Sequence, residues 1–218
     1  MLIQKILRRL KYYYLKCKND FTWGSIGRRS KVISPRRIIG KRFIHIGTNS
    51  YIMHDARIEA VYLYADQFFS PCIKIGDNVD IQQRVHITCA ESVVIGNNVS
   101  ILPDVLITDI NHPYIDITLP PKMQHLEHKP VSIGEESIIG MGARILPGVN
   151  IGKHCCIGTN AVVTSDIPDY SVAVGIPAVV VKKYDFEQSK WVKVDNAIKL
   201  YGGGGYSVNA RLCARKVA

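Results

Sequence analysis

Histidine is the side chain in this sequence best suited to moving protons at neutral pH, because imidazole titrates near pH 6.5. Three of the seven histidines, His112, His125 and His128, fall in one stretch, TDINHPYIDITLPPKMQHLEHKPVS (108–132), which also holds four prolines. A neutral imidazole at such a place takes a proton from an attacking group and returns one to a leaving group. Asp109 is the nearest carboxylate able to hold the second ring nitrogen, a task a backbone carbonyl would also perform. A lone histidine is more often a surface or core residue, and on that ground His125 and His128 read as loop surface. His86 reads as either a wall of a cleft or a structural residue. Metal chemistry is not indicated: the sequence has no CxxC, and five residues after His112 stands Ile117, so a His-x4-His pair is absent. The six cysteines (17, 72, 89, 155, 156 and 213) read as reduced thiols, with adjacent Cys155 and Cys156 packing one inward and one outward.

The elements that position these residues follow from a repeat of six. Ile133, Ile139, Ile145, Ile151, Ile157 and Val163 are spaced by six, and the pattern also runs through Ile95, Ile101 and Ile107, through Ile75, Ile81 and Ile87, and more weakly through Ile46, Ile52 and Ile58. Period six fits neither a helix nor a plain alternating strand. It fits short strands joined by tight corners, three to a triangular coil, with the aliphatic anchor inside and stacked on the next coil. Segments such as IGDNV (75–79) and IGNNV (95–99) read as corners, where Gly, Asn and Asp tolerate positive φ. The expectation is an all-β chain of about five coils between residues 46 and 168. The hexads lapse between Ile107 and Ile133, and a loop this long in a compact repeat is usually functional or disordered.

The segment IGMGARILPGVNIGKHCCIGTNAVVTSDIPDYSVAVGIPAVVVKK (139–183) resembles the hexapeptide-repeat acetyltransferases, in the branch that acetylates galactosides, maltose and xenobiotics. The resemblance spans roughly residues 30–184. It implies a left-handed parallel β-helix, acetyl-CoA as co-substrate, no metal, and a homotrimer with active sites between subunits. Asn111-His112-Pro113 matches the family's catalytic His-Pro pair, which implies His112 as general base, with Asp109 as the candidate partner. The corner Met141-Gly142 is implied as the backbone donor to the developing oxyanion. Gly142, Ala143, Gly158 and Thr159 are implied to line the pantetheine arm of CoA, with Thr164 and Ser165 further along and Lys182 and Lys183 at its phosphates. On the acceptor side Gln82, Arg84, His86 and Asn111 are the candidates. The family's sugar-binding Asn is replaced in the segment IQQRVH, so the acceptor does not carry over.

The net charge is +10, with 47% apolar and 21% charged residues, which argues against a largely disordered or fibrous chain. The charge is lopsided: residues 1–42 hold 13 Lys and Arg against one acid, Asp20. Anionic partners are expected at that end. Residues 1–20 read as a basic amphipathic helix that caps the first coil or contacts an anionic membrane surface. Nucleic-acid binding lacks any accompanying motif. Residues 21–184 form the β-helix domain, with the loop 108–132 extruded. Residues 185–218 form an extension, a short helix or strand followed by a mobile glycine-rich tail. No apolar run is long enough to span a membrane and no signal peptide is visible, so a cytoplasmic enzyme is expected, with peripheral contact at the inner membrane face. The leading reading is O-acetylation of a sugar in polysaccharide or O-antigen synthesis. The alternatives are N-acetylation of a nucleotide-linked amino sugar, in which Arg57 and Arg84 hold a diphosphate or are merely solvated, and acetylation of a xenobiotic. Further alternatives are a zinc carbonic-anhydrase-like β-helix and a non-catalytic interaction module.

Overall fold

The computed structural model describes residues 19–194, together with Leu10 and Tyr14. Three parallel sheets surround one interior. The first contains Ser25–Ile26, Ile44–Ile46, Cys72–Ile75, Ser92–Ile95, Val131–Ile133 and Asn150–Ile151. The second contains Lys31–Val32, Tyr51–Ile52, Asp80–Ile81, Ser100–Ile101, Ile138–Ile139 and Cys156–Ile157, and ends in Ser171–Gly175, Ala178–Asp185 and Lys190–Lys193. The third contains Arg37–Ile39, Arg57–Ala60, His86–Cys89, Leu106–Thr108, Arg144–Ile145 and Val162–Val163. This is the expected left-handed parallel β-helix. It has one coil more than expected: Ile26, Val32 and Ile38 pair with Ile46, Ile52 and Ile58. Their spacing is also six, but Ile26 is largely exposed at the end of the stack.

The anchors stack in columns because the register repeats. Ile52, Ile81, Ile101, Ile139 and Ile157 lie one above another, as do Ile58, Ile87, Ile107, Ile145 and Val163. All are buried to 1% exposure or less. Each such side chain contributes roughly 1.5–3 kcal/mol of hydrophobic stabilisation. Spacing between anchors is six at the first corner (between sheets one and two) and at the second (between sheets two and three). All variation falls at the third corner, where the chain passes from sheet three to sheet one.

The corners divide their work differently from the expectation. In IGDNV the left-handed residue is Asn78 (φ 54°), not Gly76, and in IGNNV it is Asn98 (φ 57°). The glycines are there for close approach. A Cβ on Gly134 would sit 2.5 Å from the backbone of Gly152 and Lys153, and Gly47, Gly76, Gly96 and Gly152 are crowded in the same way by the coil above. Gly134→Ala therefore has to push two coils apart. It is expected to cost about 2–3 kcal/mol, read as a lower urea midpoint at unchanged slope. An unchanged midpoint would mean that the coils separate freely. Asparagines finish the first corner: Asn49 Nδ2 donates to Asn78 Oδ1 at 2.8 Å, and Asn78 Nδ2 to Asn98 Oδ1 at 3.1 Å.

Two excursions leave the third corner. One is the hairpin Leu63–Tyr64 with Gln67–Phe68, and the other runs from 109 to 130, closed by antiparallel Ile110–Asn111 and Glu127–His128. They are tied together by the Leu126 N–H, which donates to Gln67 Oε1 at 2.7 Å. The return strand is latched to the coil where His128 Nδ1 meets Glu91 Oε2 at 2.8 Å, with Phe69 edge-on to the same ring. At the far end, the extension expected beyond residue 184 is a strand through Lys193. The tail beyond 194 lies outside the described residues. The N-terminal helix does so too, apart from helical Leu10, Tyr14, Asn19 and Asp20. Cys155 is buried and Cys156 half-buried, one inward and one outward as expected.

Candidate active site

The outward side chains of the third sheet alternate with its buried anchors and therefore form two columns. One reads Arg37, Arg57, His86, Leu106 and Arg144, and the other Ile39, Glu59, Thr88 and Thr108. Where the second column meets the third corner, the excursion begins. His112 lies just past its first strand, exposed, with its ring edge-on to Tyr64 at 5.7 Å between centroids. A cavity of about 720 Å³ opens there, walled by His112, Tyr64, Thr88, Thr108, Glu59 and Arg57, with Asp20, Arg37 and Leu126 also contributing. Thr88 Oγ1 donates to Thr108 Oγ1 at 2.7 Å, and Thr108 Oγ1 accepts the Ile110 N–H at 3.1 Å. These hydroxyls thus set the exit angle of the segment carrying His112.

Asp109 is not the partner of His112. It is fully buried, and its oxygens accept the N–H groups of Ala90, Glu91 and Ser92 at 2.7, 2.8 and 2.9 Å. The carboxylate pins the start of the excursion to the corner below, a positioning role. Burial, together with the Asp109 charge, pushes the neighbouring Cys89 thiol up, far from any nucleophilic thiolate at neutral pH.

Among the acceptor candidates, His86 and Arg84 line a second cavity of about 700 Å³, shared with Arg36, Arg37, Arg57, Asp55 and Asp104. Arg84 is engaged there by a two-pronged pair with Asp104, at 2.7 Å on each side. Asn111 lines neither cavity, and its Nδ2 donates to Glu127 Oε2 at 3.4 Å. Gln82 stands at the second corner and lines neither cavity.

The residues expected to hold CoA divide into groups. Met141, Gly142, Gly158 and Thr159 gather at the second corner, Lys182 and Lys183 stand exposed on the sheet leading to it, and Thr164 and Ser165 are exposed at the third corner. Ala143 points into the core at 0% exposure, so its side chain lines no groove. The Gly142 N–H is donated to Pro103 O at 2.9 Å and is not available to an oxyanion. At φ +70° with Asn160 against its Cα, Gly142 is a structural glycine. Within one chain this corner lies across the width of the third sheet from His112.

Sequence reasoning missed Glu59 and Arg37. Glu59 is 7% exposed, with Oε1 3.0 Å from Arg37 Nε and Oε2 2.8 Å from Arg57 Nη2, while His86 Nε2 stands 3.9 Å away. Burial raises its pKa, but the imidazole, the two guanidinium groups and their charges outweigh burial and bring it down to about 2. A depressed carboxyl stabilises the fold above its unfolded value of 4.5, and that contribution is lost as pH falls toward 2. It is on the order of 3 kcal/mol at neutral pH. Glu59→Gln is therefore expected to be less stable than wild type near pH 6, with the gap in urea midpoint narrowing below pH 4.5 and closing only near pH 2. Parallel curves at the two pH values would refute this. The signal for these residues was present in the register: extending the hexads back to Ile38 puts Arg37, Arg57 and His86 in one column.

The family model for bacterial transferase hexapeptides (six repeats) matches residues 130–165. WbbJ of Escherichia coli K12, whose name assigns it provisionally to lipopolysaccharide biosynthesis as an O-acetyl transferase, is 37% identical over 157 residues, covering 66% of this chain and 80% of that one. The galactoside O-acetyltransferase of the same strain is 30% identical over 154 residues, covering 71% and 70%. AntD, an N-acyltransferase from Bacillus cereus solved with dTDP and 3-hydroxybutyryl-CoA, superposes with a TM-score of 0.63 at 18% identity, covering 78% of this chain and 87% of that one, and so shares the fold.

Proposed function

With this chain established as a member of the hexapeptide-repeat acetyltransferases, we propose that it transfers the acetyl group of acetyl-CoA to a sugar hydroxyl in the synthesis of a surface polysaccharide. The observation that carries this reading is the placement of His112 at the mouth of a cavity lined by hydroxyl and charged side chains. A sugar bound there meets both hydrogen-bond donors and acceptors. His112 takes the proton of the attacking hydroxyl, the new C–O bond forms at the thioester carbonyl, the C–S bond breaks, and the proton passes from the imidazolium to the departing thiolate. The chain needs no nucleophile of its own in this sequence.

The donor corner supports a trimeric enzyme. Met141 and Thr159 lie far from His112 in one chain, so a second copy has to bring its own corner to the imidazole. Thr164, Ser165, Lys182 and Lys183 then serve the more distant parts of CoA, the lysines as point charges for phosphate. Acetyl-CoA as donor supports a cytoplasmic reaction. Contact of residues 1–18 with the anionic inner membrane face fits the lipid-linked substrates of polysaccharide assembly, and sedimentation with anionic vesicles tests it. No helix among the described residues is long and apolar enough to cross a membrane.

One observation favours the N-acetyl alternative. Both oxygens of Asp109 are committed to backbone N–H groups, so this carboxylate does not raise the basicity of His112. An amine needs less help from a base than a hydroxyl. Thiol release from acetyl-CoA, measured with a panel of sugars and of amino sugars, decides between them. Release that depends on a hydroxylated sugar supports the main reading, release only with amino sugars replaces it, and release with neither removes both.

A further inference from the structure

We infer that the acceptor carries a phosphate ester, and that the second cavity, where Arg36, Arg37, Arg57 and His86 converge beside the His112 pocket, binds that phosphate. The inference rests on the acetyl-transfer reading and adds the class of substrate.

The two cavities share a wall made of Arg37 and Arg57. Glu59 holds both guanidinium groups, Arg37 through Nε and Arg57 through one Nη, so each is fixed in place by part of its fork while the rest stays open. Arg84, the other cation of the cavity, is already matched by Asp104, and Asp55 lines the same rim. Two buried nitrogens there, Arg57 Nε and His86 Nε2, have no hydrogen-bond partner. The Arg37 and Arg57 side chains are 57% and 43% exposed, so the outer parts of both guanidinium groups are open to an anionic oxygen in the second cavity.

The shared wall lets one molecule reach both cavities. A sugar whose hydroxyl lies toward His112 presents a phosphate on another of its carbons to Arg57 and Arg37. Guanidinium groups suit that partner, because their planar fork matches phosphate oxygens in pairs. A neutral glycoside would occupy the first cavity and leave the second unmet.

The test is acetyl transfer to one sugar in four forms: a methyl glycoside, a glycosyl 1-phosphate, a nucleotide diphosphate sugar and a short-chain lipid diphosphate sugar. The phosphate-linked forms are expected to exceed the methyl glycoside in kcat/KM by about tenfold or more. Whichever phosphate form is preferred identifies the natural carrier. Arg57→Gln should raise KM for those forms by about tenfold, and rim variant Arg36→Gln by less, with KM for acetyl-CoA unchanged. Transfer that proceeds equally to all four forms would overturn the inference and leave the acetyltransferase reading intact. A rise in the acetyl-CoA KM alone would assign the cavity to the donor. If no form is acetylated, calorimetric titration of the wild type with inorganic pyrophosphate, in saturating CoA, still decides. Binding weakened about tenfold by Arg57→Gln supports the site, and no binding up to about 10 mM refutes it.

Discussion

His112→Ala lowers kcat for acetyl transfer to a hydroxyl by about 10²- to 10⁴-fold, with KM for acetyl-CoA close to wild type. The imidazole is exposed and packs edge-on against Tyr64, so its truncation opens no hole in the core. A surface change of that kind shifts stability by about 0.5 kcal/mol or less. The thermal midpoint of the variant is therefore expected to match wild type, which separates loss of a base from loss of a fold. A pH profile of kcat/KM gives a second check, because the limb that reports the free imidazole has to vanish in the variant. Retained activity on a hydroxyl acceptor would remove His112 from the chemistry.

Asp109→Ala produces the opposite pattern, a loss of stability with activity falling in consequence. Three backbone N–H groups in the buried corner 90–92 lose their acceptor together. Hydrogen bonds to a charged group are worth about 1.5–3 kcal/mol each, and an unmet buried N–H adds its own penalty. Some of this is recovered by water entering the space, and a net cost of about 4 kcal/mol is expected. Asp109→Asn keeps the shape but turns an amide NH₂ toward N–H donors, and should recover only part of the loss. In variants that remain folded, kcat falls while the pH profile keeps the His112 limb, the mark of a positioning residue. A cost under about 1 kcal/mol would mean that the corner does not depend on the carboxylate.

Much of the coil was legible because burial is periodic. Ile75, Ile81 and Ile87 had to face one interior, and they do. The break that carries His112 was legible for the same reason, as the place where that period lapses. What was harder to read was which outward side chains become neighbours. Arg57 and His86 are adjacent in space yet 29 residues apart in sequence, because a hairpin intervenes at the third corner. The ladder at Arg84 and Asp104 skips only 20. Column membership depends on loop lengths that the anchor spacing alone does not supply until every coil is in register. Asp109 was misassigned for a related reason. Nearness in sequence to His112 suggested a partner, while the carboxylate turns inward to a corner 17 to 19 residues earlier. Ala143 likewise sits at an inward position of its hexad, which the period of six already indicated.

The third corner is where the chain departs from its beat, and both excursions at the candidate site leave from it. The columns of isoleucine run past this corner without bending around the extra residues. Architecture and selectivity are thereby decoupled in this molecule. Residues can be added or removed at that one vertex, and the tools that grip a substrate redesigned, while the stacked frame beneath is inherited unchanged.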